Sequence, residues 1–360
     1  SYRRQRQMCI RDSNISFDAR LLSNKGNDWT LGFYYRNQKI SLLREYTYLE
    51  NDFKSSFDTE NIAIYGQYSF PVSNSINIEV GLRAETRDAD YTDNNGPIPE
   101  DFVCITIYPK PESCLFDNEY KNSEDFWGGK IVIQNQINKN LFRYFLISKG
   151  YKPGGINIAG NVDKNNLKYN SETMINYEFG VKGNINKNML FQTALFYQDR
   201  DDVQTKQSIV KSISSGEQGG LCPCSFTDYI GNAVKGSNYG LEFEFLWLVN
   251  NNLDLFLNIG LLETEFKNYL SFSHVDANLA DATPVNLSGR DQSHAPQYQF
   301  NIGFKYRVSE ALSINFDIEA KDEFYFSDRH NLQSDEYLLL NIVFNYQKDD
   351  WEINLFGKNL

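Results

Sequence analysis

The feature that most constrains this chain is a two-residue alternation of apolar and polar side chains, repeated in segment after segment and clearest from Tyr239 to Leu360. Leu253, Leu255, Leu257, Ile259 and Leu261 alternate with Asp254, Asn258 and Gly260, with Phe256 as the exception. Phe300, Ile302, Phe304, Tyr306 and Val308 alternate with Asn301, Gly303, Lys305 and Arg307, and Ile314, Phe316 and Ile318 with Asn315, Asp317 and Glu319. Leu338, Leu340, Ile342, Phe344 and Tyr346 continue the pattern less cleanly, because Leu339 and Val343 are apolar too. Successive side chains of a strand point to opposite faces, so each segment reads as a strand with one apolar and one wet face. A soluble sandwich has the same alternation, so strand length and connections must decide what covers the apolar faces.

Fourteen such segments are expected, near 14–22, 29–42, 58–70, 75–90, 122–137, 140–152, 169–183, 188–202, 229–249, 252–267, 296–308, 311–326, 335–347 and 350–360. Many exceed the roughly five or six residues usual in soluble sheets and reach the about 9–11 of a tilted membrane-crossing strand. Short connections rich in Asn, Asp and Ser (Pro71–Asn74, Ile137–Asn140, Asn184–Asn188, Val249–Asn252, Ser309–Glu310, Gln347–Asp350) take turns with long polar ones near 43–57, 91–121, 153–168, 203–228, 268–295 and 327–334. In an up-and-down meander all the turns then lie at one end and all the long loops at the other, as in outer-membrane barrels. So many loops beyond about 12–15 residues count against a compact soluble domain. The expected fold is all-β, an antiparallel transmembrane β-barrel meander. On this reading Ile76, Ile78, Val80, Leu82, Leu241, Phe243, Phe245 and Trp247 face lipid. Glu79, Glu85, Glu178, Glu242, Glu244 and Glu319, with Arg83, Arg143, Lys182, Lys305 and Arg307, line a wide aqueous bore. Burial of Phe245, Leu255, Phe316 and Leu340 between two stacked layers would exclude it.

Composition narrows the function. A formal net charge of −12 over 360 residues argues against nucleic acid, which needs clustered Lys and Arg. No stretch approaches the roughly 18 apolar residues of a membrane helix, which says nothing against a barrel, whose strands are half polar. Aromatics at 15% suit strands and interfacial girdles. No signal peptide is visible at residue 1. Ser1–Ser13 is basic and patternless, and RQRQMCIRDS resembles translated sequencing-adaptor sequence. The expectation is non-native sequence over 1–13 and native barrel over 14–360.

Phe145–Asn157, FLISKGYKPGGIN, resembles a stretch found in TonB-dependent outer-membrane receptors. Tyr177–Gly183 (YEFGVKG), Asn232-Ala233 followed by Gly240–Glu244 (GLEFE), Ala295-Pro296 and the terminal Phe356–Leu360 (FGKNL) resemble further motifs of that family, in its order. Each is weak alone; order and spacing over about 60–360 give the match its weight. The resemblance implies a barrel of about 22 strands with a plugged lumen, of which this chain would carry about fourteen, without the plug domain, the TonB-contact segment or the last strand. It further implies an outer-membrane location in a Gram-negative-type cell, lipid and the TonB complex as partners (the latter through the missing plug), and uptake of a scarce ligand. A ferric siderophore is the expected class. No cofactor and no enzymatic activity are implied. The rivals are a passive porin or channel, an outer-membrane barrel enzyme and a soluble all-β interaction protein.

The candidate ligand-binding residues are Arg290, His294, Arg329, His330, Tyr151 and Lys152, in or beside the long loops, where Arg suits anionic chelates. For His274, His294 and His330 the plainer reading is exposed loop residues without a binding role. For Tyr151 and Lys152 it is a structural motif in which Gly154 and Gly155 permit turns closed to other residues. Cys104, Cys114, Cys222 and Cys224 all fall in expected loops and are disulfide candidates. They can pair within loops or across them, with free thiols or a metal as alternatives; Cys222-Pro223-Cys224 would close a very small ring and lacks usual metal-site spacing. The inward carboxylates read as a wall of charge rather than catalytic pairs, and no phosphate loop, nucleophile elbow or zinc motif is present.

Overall fold

The computed structural model describes residues 6–23, 28–46, 53–94, 118–157, 166–215, 221–271, 285–329 and 331–360; the side chains of 6–10, 44–46, 53, 208–215, 221–227, 234, 271 and 285 stand outside the description. One sheet of fourteen strands dominates, in chain order and antiparallel throughout. Its strands are β1 (Arg6–Ser23), β2 (Asp28–Tyr46), β3 (Phe53–Pro71), β4 (Ile76–Asn94), β5 (Asn118–Asn138), β6 (Leu141–Lys152), β9 (Glu172–Asn186), β10 (Met189–Ser215), β11 (Leu221–Asn250), β12 (Leu253–Lys267), β15 (Tyr298–Arg307), β16 (Leu312–Lys321), β17 (Tyr337–Lys348) and β18 (Trp351–Gly357). Two small pairs complete it, β7 (Gly155–Ile156) with β8 (Lys168–Tyr169) and β13 (Leu270–Ser271) with β14 (Val285–Asn286). Among the described residues β1 and β18 are the sheet's edges and do not pair with each other.

The turns explain their own composition. Ser73 Oγ accepts from the Ile76 amide (3.1 Å). Asn138, Asn186 and Asn250 each take the amide two residues on through Oδ1, all at 2.8 Å. Ser309 Oγ accepts from Leu312 N at 3.1 Å. A short side-chain acceptor at the turn's first position satisfies amides that the ladder leaves open.

Register joins the alternating strands into two continuous faces, since residues directly opposite in a ladder share a face. Phe245 pairs with Leu257, Leu257 with Ile302, Ile302 with Ile318 and Ile318 with Leu340, an apolar row crossing five strands. The next rows over carry the polar set: Glu244 opposes Asn258, Asn258 opposes Asn301, and Asn301 opposes Glu319. Phe256 stands on this wet face, its ring lying over Gly303, where a Cβ would come within 2.6 Å of it. Phe245, Leu255, Phe316 and Leu340 are half-exposed, with no second layer packed on them among the described residues. Leu82 at 63%, Trp127 at 59% and Leu195 at 51% exposure show how far the apolar face lies open, well beyond what scattered surface hydrophobics require.

Aromatics bound that face. Tyr177, Tyr197 and Tyr239 oppose one another in one row toward the loop end, Tyr298 lies in the adjacent row, and Trp247 and Tyr306 stand toward the turn end. Tyr239 and Trp247 are eight residues apart, as are Tyr298 and Tyr306. At about 3.3 Å per residue and a tilt of about 40° the band is about 20 Å high, near the height of a barrel's apolar belt.

Several expectations are corrected. Beyond the band the strands run on, so that β10 and β11 reach Ser215 and Leu221 through what the sequence suggested was loop. Cys222 and Cys224 accordingly lie on β11 rather than in a loop; their side chains, and all of Cys104, Cys114, His274 and His330, lie outside the described residues. Arg143 sits on the apolar face, opposite Val181 and Asn135, not in the bore. It is two residues past the turn end, where a long cationic side chain can reach the polar interface. Residues 6–13 extend β1 and pair with β2 from Tyr46 to Lys39, a pairing that does not bear on whether the stretch is native.

Candidate ligand-binding site

Three groups of polar side chains stand on the wet face and at its loop end. The first is on β1–β4. Arg83 lies between the Tyr34 and Tyr65 rings, 5.2 and 5.7 Å from their centroids, and its Nε and Nη2 donate to Glu85 at 2.8 and 2.6 Å. Tyr151 donates to the same Glu85 oxygen at 2.8 Å and stacks on Phe126 at 4.6 Å. Asn61 donates to the other oxygen at 2.7 Å. Arg83, Glu85, Asn61, Tyr34 and Tyr65 line a recess of about 470 Å³ with Asp18, Arg20 and Arg36. Asp254–Arg307 (2.6 Å) and Glu79–Lys130 (2.5 Å) continue the charge pattern. Glu178 accepts from the Tyr144 hydroxyl at 2.6 Å.

The second group is a strap. The chain leaves β6 after Lys152 and folds back through β7 and β8. Ile156 and Leu167 pack on Tyr91, Tyr120 and Phe57 of the wet face. Gly154 and Gly155 are buried here, but neither has positive φ. They are glycines because a Cβ on Gly154 would lie 2.5 Å from the Tyr169 carbonyl oxygen and one on Gly155 would run into the Tyr169 ring. The motif's glycines thus serve close approach, not the turn geometry suggested by sequence. Asn157 mimics a strand partner for β11: it accepts from the Ile230 amide at 2.7 Å and donates to the Ile230 carbonyl at 2.8 Å. Gln204 donates to the carbonyls of Pro153 (2.9 Å) and Asn170 (3.0 Å). Glu172, held by Arg200 at 2.5 Å, accepts the Gln204 amide at 3.0 Å.

An exchange of faces on β10 accompanies this docking. Asp202 has φ of 54°. Arg200 before it and Val203 after it both face inward, Arg200 to Glu172 and Gln292, Val203 into a cluster with Ala233, Phe266 and Tyr269. The ladder with β11 keeps its register across this point, Asp201 opposite Lys235 and Val203 opposite Ala233, so the left-handed residue exchanges the faces without an inserted one.

The third group joins the hairpin β10–β11 to the loops before β15 and β17. Asp228 receives Lys206 at 2.7 Å and Arg329 at 2.9 Å. Lys152, Asn157, Gln204, Thr205, Lys206 and Asp228 are among the residues lining a recess of about 370 Å³.

The candidates read from sequence therefore separate. Tyr151 belongs to the Arg83–Glu85 network and Lys152 to the loop-end recess. Arg329 is buried and reaches Asp228, beside that recess. Arg290 donates to Asn331 at 2.6 Å and lies 3.8 Å from the Tyr325 ring centroid, tying two loops together. His294 has φ of 58° and packs on Phe324. Asn157, Thr205, Lys206 and Asp228 were not singled out. Asn157 meets Ile230 73 residues on, and Asp228 meets Lys206 22 and Arg329 101 residues away, and no local pattern encodes such meetings.

What the register defines is a length of β-barrel wall with one face apolar and the other charged. A family model described as TonB dependent receptor-like, beta-barrel matches residues 2–360, and the chain belongs to that family. Solved structures agree in fold. The ferric yersiniabactin uptake receptor FyuA from Yersinia pestis superposes with a TM-score of 0.72 at 18% identity, over 99% of this chain and 50% of that one. The siderophore receptor PiuA from Acinetobacter baumannii gives 0.69 at 12%, over 95% and 50%. The copper transporter OprC gives 0.68 at 12%, over 98% and 52%. The chain spans about half the length of these proteins.

Proposed function

We propose that this chain is the barrel wall of an outer-membrane receptor that captures a scarce ligand at its loop end and imports it with energy delivered by the TonB complex. The observation that carries this reading is the pairing of the two faces. An apolar belt about 20 Å high between aromatic rows suits hydrocarbon, and the charged wall behind it, with a folded strap across its loop end, suits a hydrated, occupied bore. A bilayer demands that every backbone group be paired within the protein, which a continuous antiparallel sheet provides. The ligand class is a ferric siderophore, as for FyuA and PiuA, with a copper complex, as for OprC, the nearest alternative. The protein acts as a transporter and not as an enzyme.

Uptake of a labelled ferric siderophore by cells expressing the intact protein, with and without a working TonB complex, tests the proposal. Accumulation that depends on both supports it. Uptake indifferent to TonB makes the protein a passive channel, and recovery of the protein away from the outer-membrane fraction defeats the membrane reading.

A further inference from the structure

The apolar outer face is not smooth: toward its loop end it carries a groove of about 710 Å³. Register explains the hollow. Leu195 opposes Leu241 and Leu241 opposes Leu261, a floor of leucines crossing three strands. Larger rings stand around it. Phe179 and Tyr298 close the two ends of the same row, and Tyr177, Tyr197 and Tyr239 form the row above, on the loop side. A leucine reaches less far from the sheet than a tyrosine, so the floor lies below its surround.

The charge at the mouth of this groove is one-sided. Glu263 opposes Tyr239 and so closes the tyrosine row, where it lines the groove. It is exposed and makes no ion pair or hydrogen bond with the described residues. In the next row toward the loops Asp199 opposes Ser237, and Ser237 opposes Glu265. Lysines come only a row later, where Lys235 opposes Lys267, and Lys235 is held by Asp201 at 3.0 Å. A phosphate placed at the tyrosine row would face carboxylates before any cation, whereas an ammonium group there meets attraction alone.

We propose that this groove seats a lipid of the loop-end leaflet whose headgroup carries a primary ammonium, of the phosphatidylethanolamine type. An acyl chain lies on Leu195, Leu241 and Leu261, the tyrosine hydroxyls donate to the phosphate, and Glu263 receives the ammonium. The proposal rests on the reading of this face as the membrane face. The order of the parts fits a lipid standing upright in that leaflet: apolar floor toward the midplane, then rings with an apolar body and a polar tip, then the carboxylate. The opposite end of the same face bears a cation instead, Arg143, so the two ends differ in the headgroup they favour.

Native mass spectrometry of the intact protein in detergent, titrated in turn with phosphatidylethanolamine and phosphatidylglycerol of the same acyl chains, tests the proposal. The parent should take its first phosphatidylethanolamine about three- to fivefold more tightly than phosphatidylglycerol, the size of one exposed ion pair. Glu263→Gln should erase that preference and Glu263→Lys reverse it. Leu195→Trp, which fills the floor, should weaken both lipids alike. Resistance of the folded barrel to SDS at room temperature confirms that each variant folds. No preference in the parent, or a preference that Glu263→Gln leaves unchanged, overturns the site. Phosphatidylglycerol that binds equally well once magnesium is added makes the rim a cation bridge to an anionic lipid and overturns the ammonium assignment. Flotation of the protein with phospholipid vesicles separates this proposal from the membrane reading beneath it. A protein that floats but shows no preference loses the groove alone, and one that does not float loses both.

Discussion

Ile259→Arg is the sharpest single perturbation of the proposed membrane face. Ile259 lies on β12 between Phe243 and Phe300 on the apolar face. It is four residues from Leu255, which opposes Trp247, and four from Glu263, which opposes Tyr239. Four residues are about 13 Å of strand, or about 10 Å of depth at a tilt of about 40°. Ile259 therefore sits close to the midplane of the belt, where an arginine costs about 2–4 kcal/mol, against about 0–1 near either interface. Its neighbour Asn258 points the other way, between Glu244 and Asn301, and Asn258→Arg should cost under about 1 kcal/mol, as exposed charges do. The assay is urea-driven unfolding of the intact protein in phospholipid vesicles, read by Trp fluorescence. A drop of that size for Ile259→Arg with little change for Asn258→Arg is expected. Equal costs, or a harmless Ile259→Arg, would mean that the two faces have been assigned wrongly.

Other predictions address the strap and the wall. Gly154→Ala should displace the strap, because its Cβ meets backbone rather than a movable side chain; overpacking of this kind costs about 1–3 kcal/mol, and amide exchange at Tyr169 and Asn170 should speed up. Asn157→Ala removes both partners of the Ile230 backbone and should raise exchange at Ile230 without altering the belt. Glu85→Gln strips a carboxylate accepting from Arg83, Tyr151 and Asn61 and should cost about 1–3 kcal/mol in the same urea titration; Tyr151→Phe should cost less. Burial on the strap raises the Tyr169 phenol above its ordinary 10.0. The folded strap therefore favours the neutral phenol, its contribution is intact below pH 10, and it is lost as pH climbs through the raised value; Tyr169→Phe should remove that alkaline loss, followed by exchange at Gly155 and Ile156.

Where one face was apolar and the other polar, the strands were legible in the sequence. The pattern of Leu253–Leu261 or Phe300–Val308 survives any reasonable window, and the fourteen expected segments correspond one to one with the fourteen strands of the sheet. Their loop-end limits were not legible. Past Asp201 on β10 and before Lys235 on β11 the sequence holds no steady two-residue alternation, so no hydropathy contrast marks the strand although pairing continues to Ser215 and Leu221. Arg143 was misplaced for a related reason: Phe142, Tyr144, Phe145 and Leu146 around it are apolar on both faces, and alternation cannot assign a side. Of the site, Tyr151 and Lys152 were found through a motif, while the partners of Tyr151, Glu85 and Arg83, also flagged as inward charges, lie 66 and 68 residues away. Sequence supplied both sets and had no means of joining them.

The left-handed residue Asp202 links these levels. Were the alternation of β10 carried through without it, Thr205 and Val203 would share the outward face with Tyr197 and Asp199, and Lys206 would point inward with Arg200. One residue of left-handed backbone instead buries Val203 and Thr205 and turns Gln204 to the strap. β11 keeps its register across this point, Asp201 opposite Lys235 and Val203 opposite Ala233, so the two strands stay paired while the faces change. Asp202→Val, a β-branched residue ill-suited to positive φ, should loosen Val203 from its contact with Phe266 and speed amide exchange at Gln204, whose amide is held by Glu172, while leaving the belt from Tyr197 to Met189 intact; Asp202→Gly should do neither. A valine variant that exchanges as slowly as the parent at Gln204 would show that the change of faces does not depend on this residue's backbone.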